Sequence, residues 1–62
     1  MCLSTVYRNE VSSSNQIMGN VMKIECKDDT VILTDLMERQ VAVHGRLVMA
    51  KLVDGLAVVE EY

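Results

Sequence analysis

The residue with the clearest capacity for chemistry is Cys2, which directly follows the initiator Met1. A small residue at position 2 favours removal of the initiator, and the mature chain would then begin at the cysteine. The amine and the thiol of that residue lie on adjacent carbons, so together they can chelate one metal ion in a five-membered ring. Metal binding drives deprotonation of both groups, whose unperturbed pKa values are about 8 and about 8.5.

A thiolate beside nitrogen donors suits the late first-row transition metals. A square-planar set of amine, thiolate and the deprotonated backbone amide of Leu3 would favour Ni(II) or Cu(II). The residue types do not choose between these metals, because Cu(II) outranks Ni(II) at most nitrogen and thiolate sites. They also leave an ordinary alternative open, in which Cys2 is a small apolar residue at the start of a strand.

The other candidate ligands have simpler interpretations. Cys26 alternates in register with Met22 and Ile24, which predicts a thiol buried in the core as a small apolar group. His44 is the only histidine and precedes Gly45 at a predicted strand end. We expect its ring to be exposed and free of metal, and a ligand role across a dimer is the alternative. The five methionines are expected to fill the core.

The sequence offers no motif for catalysis. Structural zinc sites need four ligands, often in C-x2-C pairs, and no such pair occurs. Paired carboxylates occur at Asp28–Asp29 and Glu60–Glu61, but neighbours on a strand point to opposite faces, so neither pair predicts an acid–base dyad. No phosphate-binding glycine loop or catalytic triad is present. We therefore expect a protein that is not an enzyme.

The elements that must position these residues are predicted to be strands. An apolar–polar alternation and turn signals at regular spacing favour a small all-β barrel or sandwich, with a polar, serine-rich loop over residues 8–16. Asp28–Asp29 predicts a tight turn, and Asp54–Gly55 between two apolar runs is the strongest short-range signal for a hairpin. The pattern gives about six strands, over residues 2–7, 20–27, 30–36, 40–44, 47–53 and 56–60.

Length and composition predict one small domain, residues 1–62, that needs further stabilisation. A chain of 62 residues with 50% apolar residues has a core, but a domain this small is only marginally stable on its own. Two cysteines cannot form a dense disulfide framework, which leaves a metal, an oligomer or both. Exposed strand edges and an uncovered apolar patch indicate a homodimer, the commonest closed assembly.

Charge and hydropathy indicate where the protein works. The net charge of −3 repels phosphate backbones, so nucleic acid is not the expected partner. No apolar run is long enough to cross a bilayer, and no signal peptide is visible at the N-terminus. We expect a cytoplasmic protein without a membrane partner, in which both thiols stay reduced unless a metal binds them.

The opening MCLSTVY, Gly45 ahead of the segment LVMAKLVD, and the closing LAVVEE resemble the CooT family of small nickel-binding accessory proteins linked to carbon monoxide dehydrogenase maturation. The resemblance implies an SH3-like β-barrel of short antiparallel strands, a homodimer, and one Ni(II) shared near the two N-termini. It implies that Cys2 is the nickel ligand. Two chains would then supply two thiolates and two amine or backbone nitrogens, the latter including the amide of Leu3. No motif of the family covers His44.

Three functions follow from these observations. The first is a Ni(II) carrier or chaperone for maturation of a nickel metalloenzyme, with that enzyme or its maturation factors as partners. The second is a small SH3-like module that binds RNA or a protein, although single-strand binders use stacking aromatics and a positive groove. The third is a glutamine amidotransferase with an N-terminal cysteine nucleophile, for which the chain is too short and which has glycine where this chain has Leu3.

Overall fold

The computed structural model describes residues 3–62, and five β-strands account for most of them. Strands adjacent in sequence pair with each other, and the first strand also pairs with the last, which closes the sheet into a barrel. The expected all-β fold, a small barrel of the SH3-like kind, is confirmed. The strands are β1 Ser4–Arg8, β2 Gln16–Lys27, β3 Thr30–Asp35, β4 Gln40–Lys51 and β5 Leu56–Glu61, with one turn of 3-10 helix at Ser13–Asn15.

The barrel closes through a parallel pair, whereas its other four pairings are antiparallel. β1 lies alongside β5 with Thr5 opposite Leu56 and Arg8 opposite Val59. This direction follows from the odd number of strands, because in a sequential run of alternating strands the first and the fifth point the same way. The N-terminal strand therefore contacts both β2 and the C-terminal strand.

β4 is one continuous strand where the sequence predicted two separated at Gly45. Gly45 lies inside the strand, opposite Glu61 of β5. A Cβ atom at this position would collide with the backbone carbonyl oxygen of Glu60. The glycine therefore permits close contact between β4 and β5 and does not end a strand. As a result, residues 3–62 contain five strands and not the predicted six or so.

Both predicted hairpin turns are present, with different geometry. Asp28–Asp29 connects β2 and β3 directly, and Asp28 has a φ of 54°. At the other hairpin only Gly55 has a positive φ, of 65°. The turn between β4 and β5 runs from residue 52 to residue 55, and the Gly55 amide donates to the Leu52 carbonyl at 3.2 Å. This hairpin therefore has a four-residue turn and not the two-residue turn that an Asp-Gly pair suggests.

The core is built from aliphatic side chains on every strand. Leu33 and Val31 occupy the centre of β3, and both are completely buried. Met18 packs against this core, but three other methionines do not fill it as expected. Met22, Met37 and Met49 are 45%, 74% and 39% exposed, because branched aliphatic residues already occupy the interior. The buried apolar residues of the cluster are Val6, Val21, Val31, Leu33, Val43, Ala57 and Val59.

Asp35 is buried at the end of β3 and organises the turn into β4. Its carboxylate accepts hydrogen bonds from the backbone amides of Met37 and Arg39, each at 2.9 Å, and from Nε of Arg39 at 2.8 Å. Burial raises the pKa of Asp35, but these hydrogen bonds and the positive charge of Arg39 outweigh it and hold the pKa below its usual value.

No helix in residues 3–62 is long and apolar enough to cross a membrane.

Candidate metal centre

β1 fixes the point at which the N-terminus leaves the barrel. Ser4 lies opposite Val21 of β2, and the Thr5 amide donates to the carbonyl of Gly55 at 2.9 Å. Leu3 is half-buried, and its carbonyl oxygen would lie 3.2 Å from a Cβ at Gly55. Cys2, the predicted ligand, lies outside the described residues. The backbone of Leu3, predicted to supply an amide ligand, lies against the turn between β4 and β5.

An apolar groove of about 340 Å³ opens beside this end of β1. Its walls come from the start of β1, the middle of β2 and the turn after β4. Leu52, on the turn, is 72% exposed, and Val53 next to it is 89% exposed. Ser4, the first residue of β1, therefore lies at an apolar surface. The groove is lined by Ser4, Val21, Met22, Lys23, Ile24 and Leu52.

Cys26 is exposed, so the prediction that its thiol is buried in the core is wrong. Cys26 pairs with Val31, and paired residues of an antiparallel sheet share a face. Val31 is nevertheless completely buried. The difference arises because Val31 lies on a central strand, between β2 and β4, whereas Cys26 lies where β2 has already passed the start of β1. Alternation identified the face correctly but could not show that the strand there is an edge.

His44 is exposed near the opposite end of β2 from Ser4. It pairs with Thr30, which pairs in turn with Lys27. Six residues separate Lys27 from Val21, or up to about 20 Å of strand. The His44 ring makes an edge-to-face contact with Tyr62, with ring centroids 5.4 Å apart. The structure does not bring His44 to the N-terminal end of β1.

Five acidic side chains of the described region form ion pairs with basic residues. Lys51 Nζ lies 3.1 Å from Asp54, and Nε of Arg46 lies 3.0 Å from Glu60, whose hydrogen bond raises the pKa of Arg46. Within residues 3–62, no three side chains of His, Cys, Asp or Glu converge in a way that could hold a metal ion.

Comparison with protein families assigns the chain. The model of the family described as "CO dehydrogenase accessory protein CooT" matches residues 1–60. The chain belongs to the CooT family. The matched range begins at Met1 and includes Cys2, and it covers all but the last residue of the segments that carried the resemblance in the sequence.

A solved structure supports the CooT fold independently. The chain is similar to the crystal structure described as "putative CooT from Carboxydothermus hydrogenoformans", with a TM-score of 0.83 and 13% sequence identity over 98% of each chain. At this identity the likeness concerns the fold alone. A search of curated proteins gives no match.

The sequence resemblance identified the family, but the groove beside the start of β1 was not predicted. The residues that form it, Met22, Ile24 and Leu52, have types that suit a core. A signal was present in the segment from Leu47 to Val53, where apolar residues follow one another without alternation. A strand with one buried face needs apolar residues only at alternate positions, so the additional apolar residues indicate apolar side chains at the surface.

Proposed function

We propose that this CooT protein is a Ni(II) carrier that binds its cargo through Cys2 in a homodimer and delivers it for maturation of a carbon monoxide dehydrogenase-type enzyme. The observation that carries the proposal is the family match, which spans residues 1–60 and starts at the Met1–Cys2 pair. Members of this family are described as accessory proteins of CO dehydrogenase. An accessory role requires binding and release of cargo rather than catalysis.

The chemistry of the N-terminus supports nickel as that cargo. A thiolate with amine or amide nitrogens provides the mixed sulfur and nitrogen ligands that suit square-planar Ni(II). The proposed ligands of each chain are the Cys2 thiolate and a nitrogen from either its own amine or the backbone amide of Leu3. One chain supplies half of a square plane, so two chains complete it around one ion.

The surface next to this end of the barrel supports a role in transfer between proteins. Leu52 and Val53 expose apolar side chains on the turn that lies against Leu3. Exposed apolar groups beside a binding site suit contact with another protein. The proposed recipients are the nickel metalloenzyme or its maturation factors, and the proposed location is the cytoplasm, where thiols remain reduced.

Nickel titration of three proteins tests this function. The wild-type chain should develop thiolate-to-nickel absorption bands that saturate at about one Ni(II) per two chains. We expect Cys2→Ser to lose the bands and Cys26→Ser to keep them. Cys26→Ser is a matched control because it removes the other thiol, which is exposed and lies away from the start of β1.

Bands that persist in Cys2→Ser, or that vanish equally in Cys26→Ser, would contradict the assignment. Extra residues ahead of Met1 separate the two possible nitrogen ligands. They should weaken nickel binding if the free amine is a ligand and leave it unchanged if the Leu3 amide is used. Repeating the titration with Cu(II) measures how far the geometry of the site offsets the higher intrinsic affinity of copper.

A further inference from the structure

β2 has a free edge beside the proposed nickel site. On one side it pairs with β3 as far as Lys27, opposite Thr30. On the other side its pairing with β1 stops at Val21, opposite Ser4. Among residues 3–62, no strand pairs with the stretch from Met22 to Lys27 on that side. We call this stretch the β2 edge. Unpaired backbone amides and carbonyls on such an edge are a template for a further strand.

The β2 edge carries Lys23 and Lys27 and an irregularity between Val21 and Lys23, which are features that can protect an edge strand, but it lacks two others. It contains no proline, and its inward-facing side chains carry no charge. Ile24 is half-buried and Cys26 is exposed, and both lie on the inner face because they pair with the buried Leu33 and Val31. Met22, at the irregularity of the strand, is 45% exposed and lines the groove with Ile24. On the outer face, Lys23 and Glu25 lie 3.6 Å apart as an exposed ion pair. The edge thus offers both unpaired backbone and apolar side chains.

We propose that the β2 edge pairs with the same edge of a second copy of this chain, antiparallel and centred on Ile24. This inference rests on the homodimer of the proposed function and names the surface that forms it. In this register Lys23 lies opposite Glu25 of the second copy, and Glu25 lies opposite Lys23. On the groove face, Met22 lies opposite Cys26, and Ile24 meets its symmetry mate. Opposite charges and apolar groups both find matching partners.

Neighbouring registers match less well. Shifting the pairing so that odd and even residues face each other would set charged side chains against apolar ones. Centring it on Glu25 would place Glu25 against itself and Lys23 against Lys27. Centring it on Cys26 keeps opposite charges together, but the turn at Asp28 then limits the ladder to about three residues. The ladder centred on Ile24 spans residues 22–26, since Ser4 already lies opposite Val21.

The distance between the two N-termini also selects the register. Val21 lies three residues from Ile24, so the two Val21 residues, and the Ser4 residues opposite them, lie about 20 Å apart along the ladder. Each Cys2 is two residues from Ser4 and can lie up to about 7 Å nearer the axis, provided that the chain leaves the sheet at Ser4 and runs over the face of the second copy's strand. The remaining gap is about 6 Å, which two cysteine side chains can span to reach one ion. Centring on Cys26 would leave about 19 Å by the same reckoning.

Disulfide trapping tests the contact without nickel, in a Cys2→Ser background. We expect Met22→Cys to form a cross-linked dimer on mild oxidation, because position 22 faces the native Cys26 of the second copy. Ala42→Cys is the matched control, since Ala42 is exposed on β4. Peptide mapping should find the bond between positions 22 and 26. A bond joining Cys26 to Cys26, or equal cross-linking of the Ala42→Cys control, would overturn the register.

A charge exchange provides a second readout that needs no cysteine. We expect Lys23→Glu to weaken the dimer about tenfold in sedimentation, because it sets like charges opposite each other on both sides of the axis. Adding Glu25→Lys should restore the dimer. Lys27→Glu makes the same charge change on the same strand outside the ladder and should have little effect.

The outcomes separate this inference from nickel binding. A dimer insensitive to Lys23→Glu, or equally sensitive to Lys27→Glu, would show that another surface forms it. A monomer that still binds Ni(II) through Cys2 would overturn the β2-edge dimer and leave the nickel ligand standing. A wild-type dimer that responds to the charge exchange as expected but binds no nickel would overturn the carrier function and leave the β2-edge dimer standing.

Discussion

Asp35 is the one carboxylate that the described part of the chain buries, with 2% of its surface exposed. A charge in such a place must be compensated, and two backbone amides and the Arg39 guanidinium provide the compensation. The same contacts order the turn that carries Met37 and Glu38, where Glu38 has a φ of 64°. A single buried side chain therefore determines the geometry of the connection between β3 and β4.

The stability of the barrel should depend on the ionisation of Asp35. Since its folded-state pKa is below the unfolded value of about 3.9, the ionised carboxylate stabilises the fold above that pH. The contribution is lost as the pH falls through the folded-state pKa. We expect Asp35→Asn to lower the thermal midpoint at pH 7 and to flatten its dependence on pH below about 4. Circular dichroism melts from pH 2 to 7 measure both effects.

Asp54→Asn is the control for that experiment, because Asp54 forms an exposed pair with Lys51. Exposed pairs contribute little to stability, so the melting curve should hardly change. An Asp35→Asn protein with the wild-type pH dependence would show that another group controls acid unfolding.

At the scale of the strands, the long β4 contacts β3 with its first half and β5 with its second. Gly45 lies where the strand passes from one neighbour to the other, and its amide donates to the carbonyl of Asp29 at 2.8 Å. The absence of a side chain permits close contact with the backbone of Glu60. Gly45 thus allows one continuous strand to pair first with β3 and then with β5.

Substitution of Gly45 should therefore lower the free energy of unfolding far more than the exposure of the neighbouring residues suggests. We expect Gly45→Ala to destabilise the protein by about 2 kcal/mol or more, because a Cβ would force the backbones of β4 and β5 apart. Gly19→Ala is the matched control, since a Cβ there would meet only the flexible side chain of Gln16 at 3.3 Å. Urea unfolding of both variants measures the difference. Equal stability of the two would contradict this role of Gly45.

The strands show how far the sequence could be interpreted. The all-β class, both hairpins and the approximate positions of most strands followed from alternation and turn residues, which are local signals. The start of β2 did not, because it begins at Gln16, four residues before the predicted strand. The continuity of β4 did not follow, because a glycine inside a strand and a glycine ending one look alike until Glu60 is placed beside it. The exposure of Cys26 did not follow either, since it depends on where β1 starts relative to β2. The family resemblance at Cys2 could be recognised without knowledge of the fold, whereas the groove and the β2 edge could not.

The whole molecule depends on a small core centred on Leu33 and Val31. A domain of this size is expected to have a free energy of unfolding of about 3–9 kcal/mol. Leu33→Ala should remove about 2–5 kcal/mol of it, through lost burial and the cavity left behind. We expect this variant to have a much lower urea midpoint than the wild-type chain, as measured by circular dichroism.

Val53→Ala is the control at the surface, because Val53 is 89% exposed and should change the stability by less than about 0.5 kcal/mol. A Leu33→Ala protein with the urea midpoint of the wild type would mean that the barrel tolerates a central cavity. It would also mean that a stabilising contribution beyond the core of one chain, such as dimer formation, exceeds the loss.

The parallel contact between β1 and β5 also constrains how the barrel folds. Thr5 meets Leu56 across almost the entire length of the chain, and contacts of such sequence separation form slowly because a long loop must be closed first. During synthesis, β1 cannot gain this neighbour until β5 has left the ribosome. β1 is thus made first, yet its pairing is completed last, so the scaffold beside Leu3 forms only after the last strand has been synthesised.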